Sequence, residues 1–280
     1  MTSTPICRSD TILLADVGNT RIKLAVLNPA GSDACTAPIV RALPTVAKRQ
    51  DLISHTFRPD HLEKWLNAVA PRAAVVLVAS VYEAAATRLE AALAEVSATR
   101  HRVLRQRRIG HADLPLTIGL AEPHKVGIDR LAAAAAACLV KSAGRSAIIV
   151  DCGTAATVDM LSAEGEFLGG AILPGPALLA KALAEGTSRL PEVLSLEHGS
   201  PPPMPGRSTQ SAIAAGIGWG MQGAIIKLVL EAQRAFHGEA EVILTGGWRG
   251  AVRDVLPGAI DLPDLVLTGI ALAAERACAR

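Results

Sequence analysis

Apolar residues along this chain fall into short blocks, some alternating like a strand and others spaced like a helix. In the first half, apolar runs predict strands over residues 12–17, 22–27, 73–80 and 101–105. Leu62, Leu66 and Val69 recur every three or four residues and predict a helix over 60–70, and a second helix is predicted over 82–97. Between the second and third strands, the stretch to about residue 59 is predicted to be variable. Strands that alternate with helices imply a layered α/β sheet.

A helix predicted over residues 128–141 links the two halves of the chain. Its run of alanines has high helix propensity and a thin profile, which allows close packing against a neighbouring element. Further elements are predicted in two sets: strands over 146–151, 156–161, 165–172 and 241–247, and helices over 176–185, 209–236 and 264–278. The loop over 186–207 is rich in proline and is predicted to lack regular structure.

Two stretches of the chain repeat one design, an apolar strand followed by Asp-x-Gly and small polar residues. They are LLADVGNT at 13–20 and IIVDCGTA at 148–155, and each is followed by another β-rich stretch. Each Asp-Gly pair is therefore predicted at the tip of a β-hairpin, and the repeat suggests two halves of similar architecture. Gly18 and Gly153 let the main chain approach a ligand, and the N–H groups that follow can form an anion-binding nest. Two facing tips of this kind can hold a polyphosphate.

Composition narrows the partners that this chain can be expected to bind. In its 280 residues aromatic side chains make up only 2% and the net charge is +2, which disfavours stacking on bases and a generally polyanionic partner. The basic run at 100–111 is interpreted as a solvated strand with a flanking loop, with nucleic-acid contact as the alternative. We therefore expect no nucleic-acid partner.

Cysteine usage and the apolar runs bear on the compartment. The five cysteines are odd in number and scattered, so neither a disulfide framework nor a zinc site is indicated, and a reducing cytoplasm is expected. The first ten residues contain no apolar signal core, and the longest apolar run, Leu131–Val140, is too short to span a bilayer. The sequence therefore predicts a cytoplasmic protein with no membrane partner.

Six ordered segments of the chain carry a family resemblance: DVGNT, VGIDR, DCGTAATVD, GGAILPGP, EGTSRLP and VILTGG. With them the chain resembles the type III pantothenate kinases, members of the actin, Hsp70 and sugar-kinase superfamily, from about residue 12 to 275. The resemblance implies a duplicated ribonuclease H-like (actin-like ATPase) fold, with two similar halves, mixed sheets and a nucleotide cleft between them. The expected halves are 1–127, with the first phosphate hairpin, and 128–280, with the second hairpin and an adenosine-side Gly246-Gly247 turn of exposed backbone.

The resemblance also implies an activity, the ATP-dependent phosphorylation of pantothenate to 4'-phosphopantothenate, the first step of coenzyme A biosynthesis. The implied cofactors are ATP with Mg²⁺ and a monovalent cation, K⁺ or NH₄⁺, held by Asp151. The implied ATP-binding residues are Asp16, Val17, Gly18, Asn19, Thr20, Arg21, Ile22, Lys23 and Thr154. The implied pantothenate-binding residues are Leu120, Gly127, Ile128, Asp129, Arg130 and Thr187, with Asp129 as proton acceptor.

The family is also dimeric, which implies that Thr187 reaches substrate across a homodimer interface. Several glycines in the helix over 209–236 either weaken that helix or allow close approach to another helix or a subunit partner: Gly216, Gly218, Gly220 and Gly223.

Chemistry supports the role of Asp129 independently of the resemblance. Transfer of a phosphoryl group to a primary alcohol needs a group that accepts the alcohol's proton, and one carboxylate can do this. Arg130 can neutralise a carboxylate or phosphate through its fork of donors. The alternative for this pair is a helix-start Asp and a surface Arg.

Other candidate residues have structural alternatives. Asn19 and Thr20 can simply close the hairpin, and Lys23 can mark the solvent face of a strand. Thr187 can belong only to its loop, and Asp159 can either orient the second hairpin or be a polar strand residue. Trp219 and Trp248 are interpreted as packing residues rather than a base platform.

One departure from the family pattern concerns the substrate. The family commonly has a Tyr nine residues before the catalytic Asp, where it contacts pantothenate, but this chain has Leu120, and its only tyrosine is Tyr82. The alternatives to a pantothenate kinase are a kinase for another small hydroxy acid and a non-catalytic nucleotide-binding regulator of the same fold.

Overall fold

The structure is a computed structural model, and it describes residues 11–28, 43–69, 73–100, 102–193 and 201–278. The chain divides into two compact units, each treated by itself below. The first comprises Met1–Thr117, Ala121–Val140 and Asp264–Arg280, and the second comprises Ile118–Leu120 and Lys141–Pro263.

In chain order, the elements are β1 (Thr11–Val17), β2 (Arg21–Leu27), β3 (Val46–Ile53), α1 (Pro59–Val69), β4 (Ala73–Ser80), α2 (Glu83–Thr99), β5 (Val103–Arg108), β6 (Thr117–Ile118), α3 (Ile128–Val140), β7 (Ser146–Cys152), β8 (Ala155–Leu161), β9 (Glu166–Pro174), α4 (Pro176–Gly186), α5 (Thr209–Ala235), β10 (Ala240–Gly246), α6 (Gly250–Arg253), β11 (Ile260–Asp261) and α7 (Leu265–Cys278). Short 3₁₀ turns lie at His111–Asp113 and Pro123–Lys125.

The two sheets repeat one strand order. The first is β3-β2-β1-β4-β5, and the second contains the matching order β9-β8-β7-β10-β11, with β6 added beyond β9. In each sheet three consecutive strands form an antiparallel meander: β1, β2 and β3 in the first, and β7, β8 and β9 in the second. The fourth strand, β4 or β10, pairs in parallel with the first strand of the meander. The fifth, β5 or β11, pairs in parallel with the fourth. This repeated mixed sheet confirms the duplicated ribonuclease H-like fold.

Each sheet is buried where helices cover it. Strand β4, AAVVLVAS, has an uninterrupted buried interior, as expected for a strand in parallel pairing with helices on its faces. Leu62 and Leu66 of α1, both predicted from their spacing, are fully buried in the core of the first unit. The apolar periodicity therefore identified the correct faces.

Helices α3 and α7 pack against each other in the first unit, and α7 also contacts β1 and β4. A Cβ added at Gly269 of α7 would overlap the backbone carbonyl of Ala132 in α3, so the two backbones are close. The predicted close packing of the alanine helix is thus confirmed. It also explains why α3 and α7 belong to the first unit, whereas the expected boundary between 127 and 128 placed them in the second half.

The long helix α5 supplies one side of the core of the second unit. Its buried apolar residues are Ile213, Ile217, Met221, Ile225 and Val229. By length and composition alone α5 could cross a membrane, a criterion that core helices of soluble proteins also satisfy. Because these side chains are buried within the unit, we interpret α5 as a core helix.

Strand β3 was not predicted, because its sequence VAKRQDLI has no apolar alternation. It pairs with β2 and its central residues are exposed, as is typical of a polar edge strand. The basic run lies around β5, and several of its arginines bind carboxylates, including Arg107 with Asp113 (2.6 Å) and Arg108 with Glu90 (2.6 Å). These ion pairs favour the interpretation of the run as a solvated strand.

Candidate active site

The first hairpin carries a buried carboxylate paired with a lysine. Asp16 and Lys23 lie opposite each other on β1 and β2, and Lys23 Nζ is 3.2 Å from Asp16 Oδ2. Asp16 is only 6% exposed, so its charge is held in a poorly solvated position. Lys23 therefore offsets the charge of Asp16 and is more than a marker of the solvent face.

The turn of this hairpin presents backbone at its tip. The Gly18 N–H donates to the Arg21 carbonyl (3.0 Å), and a Cβ at Gly18 would lie 3.1 Å from that oxygen. Asn19, Thr20 and Arg21 are exposed, whereas the flanking Val17 and Ile22 are fully buried in the core. Val17 and Ile22 can therefore contribute to a ligand only through their backbone.

Ser54 is a functional candidate that sequence reasoning missed. It is fully buried, its N–H donates to the Thr20 carbonyl (2.9 Å) and its Oγ donates to the Gly18 carbonyl (2.7 Å). It follows the unpredicted strand β3 in sequence, and no motif surrounds it. No signal in the sequence could have linked it to the turn.

Asp129 lies in the first turn of α3, where Gly127 makes room for it. The Arg130 backbone N–H donates to Asp129 Oδ1 (2.8 Å), and a Cβ at Gly127 would lie 2.5 Å from the same oxygen. Ile128, between them in sequence, is buried and anchors the segment. The VGIDR motif thus holds one carboxylate in a defined position at the start of the helix.

The pKa of Asp129 is raised above its ordinary value, mainly by burial and then by the negative charge of Asp16. The Arg130 N–H and the charges of Lys23 and Arg130 act in the opposite direction. These interactions bring Asp16, Lys23, Asp129 and Arg130 together as one electrostatic cluster in the first unit. A carboxylate with a raised pKa is a better proton acceptor than an ordinary aspartate.

The second hairpin repeats the Asp-x-Gly geometry. Asp151 lies near the end of β7, opposite Thr157 of β8 and Thr245 of β10. A Cβ at Gly153 would lie 3.6 Å from Asp151 Oδ1 and 3.2 Å from the Ala155 carbonyl oxygen. Gly153 therefore places backbone without a side chain next to this carboxylate.

Cys152, next to Asp151, is buried, and burial raises the pKa of its thiol, with the negative charge of Asp151 adding to the effect. Because the thiolate is the reactive form, this cysteine is a packing residue rather than a nucleophile.

Trp248 connects β10 to the second hairpin. It is 4% exposed, its backbone N–H donates to the Cys152 carbonyl (3.2 Å) and its indole Nε1 donates to the Gly153 carbonyl (2.7 Å). The predicted packing role is correct, but the hydrogen bond to Gly153 was not foreseen. No local pattern joins residues 95 positions apart in sequence.

The Gly246-Gly247 turn differs from the expected stretch of exposed backbone. Gly246 has φ +94° and is buried, and a Cβ there would overlap the backbone of Cys152. Gly247 is exposed, with nothing within 4 Å of an added Cβ. Gly246 therefore serves close packing of β10 against β7, and only Gly247 offers free backbone.

Thr154 is held by Gly175, the residue between β9 and α4. The Gly175 N–H donates to the Thr154 carbonyl (3.0 Å), and a Cβ at Gly175 would lie 2.5 Å from that oxygen. The GGAILPGP segment thus packs its backbone directly on the second turn.

Asp159, farther along β8, is buried and accepts a hydrogen bond from Thr157 Oγ1 (3.0 Å).

Thr187 and Leu120 both lie in the second unit. Thr187 is exposed at the C-terminal end of α4, where its Oγ1 donates to the Leu183 carbonyl (2.8 Å). Leu120 is half-buried, with Cδ2 3.6 Å from a Cβ built at Gly169.

Trp219 is half-exposed on α5 and donates its Nε1–H to the Pro202 carbonyl (3.0 Å).

Asp16 and Asp151 lie at the two turns, and their carboxylates are hard oxygen ligands suited to alkali or magnesium ions. Within the described part of the chain, no three His, Cys, Asp or Glu side chains are grouped closely enough to hold a metal ion. Asp151, which lies beside bare backbone at Gly153, and the poorly solvated Asp16 each fit a single-carboxylate contact to a cation.

Comparisons with known proteins identify the family of this chain. A family model described as type III pantothenate kinase matches residues 12–231. The type III pantothenate kinase of Rhodopirellula baltica is 36% identical over 272 residues, which cover 90% of this chain and 94% of that protein.

Two solved structures share the fold. A protein assigned as a Baf family transcriptional activator from Campylobacter jejuni has a TM-score of 0.54 at 19% identity, covering 94% of this chain and 97% of that one. A protein assigned as a 2-dehydro-3-deoxygalactonokinase from Sinorhizobium meliloti has a TM-score of 0.54 at 16% identity, covering 94% and 98%. At this identity the likeness concerns the fold alone. From the family model and the Rhodopirellula relative, this chain belongs to the type III pantothenate kinase family.

Proposed function

We infer that this chain phosphorylates pantothenate with ATP to give 4'-phosphopantothenate, the first step of coenzyme A biosynthesis. Family membership supports the reaction, and the observation that carries its chemistry is Asp129, whose raised pKa suits a proton acceptor. Arg130, adjacent to it, offers a fixed positive charge to an anionic group. An assay of ADP release with and without pantothenate tests this function. Release that depends on another hydroxy acid, or no release at all, would contradict it.

In the proposed mechanism, Asp129 accepts the proton of the primary alcohol as its oxygen bonds to the γ-phosphorus of ATP. The bond from that phosphorus to the bridging oxygen breaks, and ADP leaves. Lys23 and the backbone of the first turn neutralise and orient phosphate oxygens, while Arg130 binds the substrate carboxylate or a phosphate. Mg²⁺ with ATP supplies further charge neutralisation, and Asp16 would hold it.

We also propose that Asp151 holds a monovalent cation. Its carboxylate lies beside bare backbone at Gly153, and carboxylate and carbonyl oxygens are the donors that such ions prefer. Thr154 follows Gly153 in the same turn, and we propose that it contacts ATP.

Potassium or ammonium is expected to raise activity in a Tris buffer free of both ions, and Asp151→Ala is expected to abolish that response. The reason is that the bound cation offsets phosphate charge. Titration of each chloride salt in the ADP-release assay measures it, with choline chloride controlling for ionic strength. Glu241→Gln, which removes a carboxylate elsewhere in the same unit, is the matched control. Equal activity in all salts would contradict the proposal.

A homodimer is supported by an uncovered face of α5. Its exposed members combine small residues with large apolar ones: Gly216, Trp219, Gly220, Gly223 and Leu230. Small residues permit close helix packing, and exposed apolar side chains favour burial against a partner. Thr187 is likewise exposed in one copy of the chain, which leaves it accessible to a second copy.

Mixing Asp129→Asn and Thr187→Val proteins under conditions of subunit exchange is expected to restore part of the lost activity. If Thr187 acts in trans, one pocket of each hybrid contains both intact residues. Light scattering gives the mass and the ADP-release assay gives the activity. An active monomer, or a mixture no more active than its two components, would contradict the arrangement.

The cytoplasmic location expected from the sequence stays a prediction.

A further inference from the structure

The two Asp-x-Gly turns share a feature that is absent from their repeated sequences. In each, the carbonyl of the turn glycine accepts a hydrogen bond from a side chain far away in the sequence. Ser54 Oγ binds the Gly18 carbonyl and Trp248 Nε1 binds the Gly153 carbonyl, each at 2.7 Å. The donors differ chemically and come from elements at different places in the two units, yet they reach the same backbone atom of the motif.

Holding this carbonyl determines the direction of the next N–H. A trans peptide is planar, so its C=O and N–H point in opposite directions. When Ser54 holds the Gly18 carbonyl, the N–H of Asn19 is directed away from Ser54, and the same relation holds for Trp248 and Thr154. The peptide that follows a glycine is less restricted than others, because glycine has no side chain to limit its backbone dihedrals. These two peptides therefore gain most from an external restraint.

Each restraint is also a two-point attachment. Ser54 donates its backbone N–H to the Thr20 carbonyl, and Trp248 donates its backbone N–H to the Cys152 carbonyl. Both residues are almost completely buried, at 0% and 4% exposure, so water cannot easily replace their side-chain donors. A buried hydrogen bond of this kind is costly to lose, since the glycine carbonyl would remain desolvated.

We propose that Ser54 and Trp248 are positioning residues that hold the N–H groups of Asn19 and Thr154 in the orientation that donates to phosphate oxygens. The proposal rests on the proposed function, in which both turns bind ATP. Preorganised donors bind an anion without paying for reorientation, so losing either restraint weakens ATP binding and leaves pantothenate binding nearly unchanged.

Ser54→Ala and Trp248→Phe remove each donor while keeping most of the side chain's shape. Each variant is expected to raise the ATP Kd, measured by calorimetry, and the ATP KM by about two- to twelve-fold, the range that one net hydrogen bond supplies. The pantothenate KM should change by less than two-fold. Ser54→Cys keeps a side chain of similar size with a weak donor, so its ATP Kd should fall between those of wild type and Ser54→Ala. It replaces Ser54→Ala as the test variant if that protein does not fold.

Two matched controls lose equivalent bonds elsewhere. Ser97→Ala removes a hydroxyl that donates to the Arg102 carbonyl (2.5 Å), and Trp65→Phe removes a buried indole bond to the Lys48 carbonyl (2.6 Å). Both should leave the ATP Kd unchanged. If the Ser54 and Trp248 variants lower the melting temperature but bind ATP like wild type, their role is structural and the proposal is wrong. A wild-type protein that binds ATP but does not phosphorylate pantothenate would contradict only the proposed function, because the Kd comparison still stands.

Discussion

Asp129→Asn is expected to lower kcat for pantothenate phosphorylation by about 10²–10⁴-fold, with the ATP Kd little changed. The amide keeps the shape of the side chain and can still accept the Arg130 N–H, but it cannot take up the alcohol's proton. Steady-state ADP release gives kcat, and calorimetry gives the ATP Kd. Asp60→Asn is the matched control, since Asp60 is also in the first turn of a helix but is partly exposed, is paired with Arg58 and has a lowered pKa.

The pH profile provides a second readout of the same prediction. Because the pKa of Asp129 is raised, its carboxylate takes up a proton at a higher pH than an ordinary aspartate does as the pH falls. The wild-type rate should therefore decline on the acid side through that raised pKa, and Asp129→Asn should lack this decline. Near-normal turnover of Asp129→Asn, or an unchanged acid limb, would assign the base to another residue.

Gly269→Ala is expected to destabilise the first unit by about 1–3 kcal/mol, the usual cost of overpacking a tight core. The added methyl would overlap the Ala132 carbonyl, which is backbone and cannot rotate away. For a domain of 150–250 residues, this corresponds to a fall in Tm of roughly 2–12 °C. Thermal melts followed by circular dichroism measure it.

Gly250→Ala is the control for that substitution, because Gly250 is exposed and has no atom within 4 Å of an added Cβ. Alanine favours a helix over glycine by up to about 1 kcal/mol, so the control should be neutral or slightly stabilising. Equal melting temperatures for wild type and Gly269→Ala would mean that α3 and α7 can separate without cost, contrary to the close packing described above.

Much of the fold could be predicted from local pattern. The apolar runs identified β1, β4 and β7 to within a residue or two at each end, and the spacing of Leu62 and Leu66 identified the buried face of α1. The sequence did not predict β3, because an edge strand has no second neighbour to bury it and its polar residues carry no alternation. The compact units also differ from the expected halves at α3 and α7, and nothing in the sequence of α3 says which sheet it packs against.

By itself the sequence determined the duplicated fold, the two Asp-x-Gly hairpins and the family, because these can be recognised from short motifs, one of them repeated and six of them in order along the chain. Asp16, Gly18, Asp151 and Gly153 belong to this group. Only the tertiary structure decided that Asp16 and Lys23 act on the pKa of Asp129, and that Ser54 and Trp248 hold the turn glycines. Ser54 is 36 positions from Gly18, and Trp248 is 95 positions from Gly153. Such contacts form when distant parts of the chain pack together, and this packing produces no periodic pattern in the sequence.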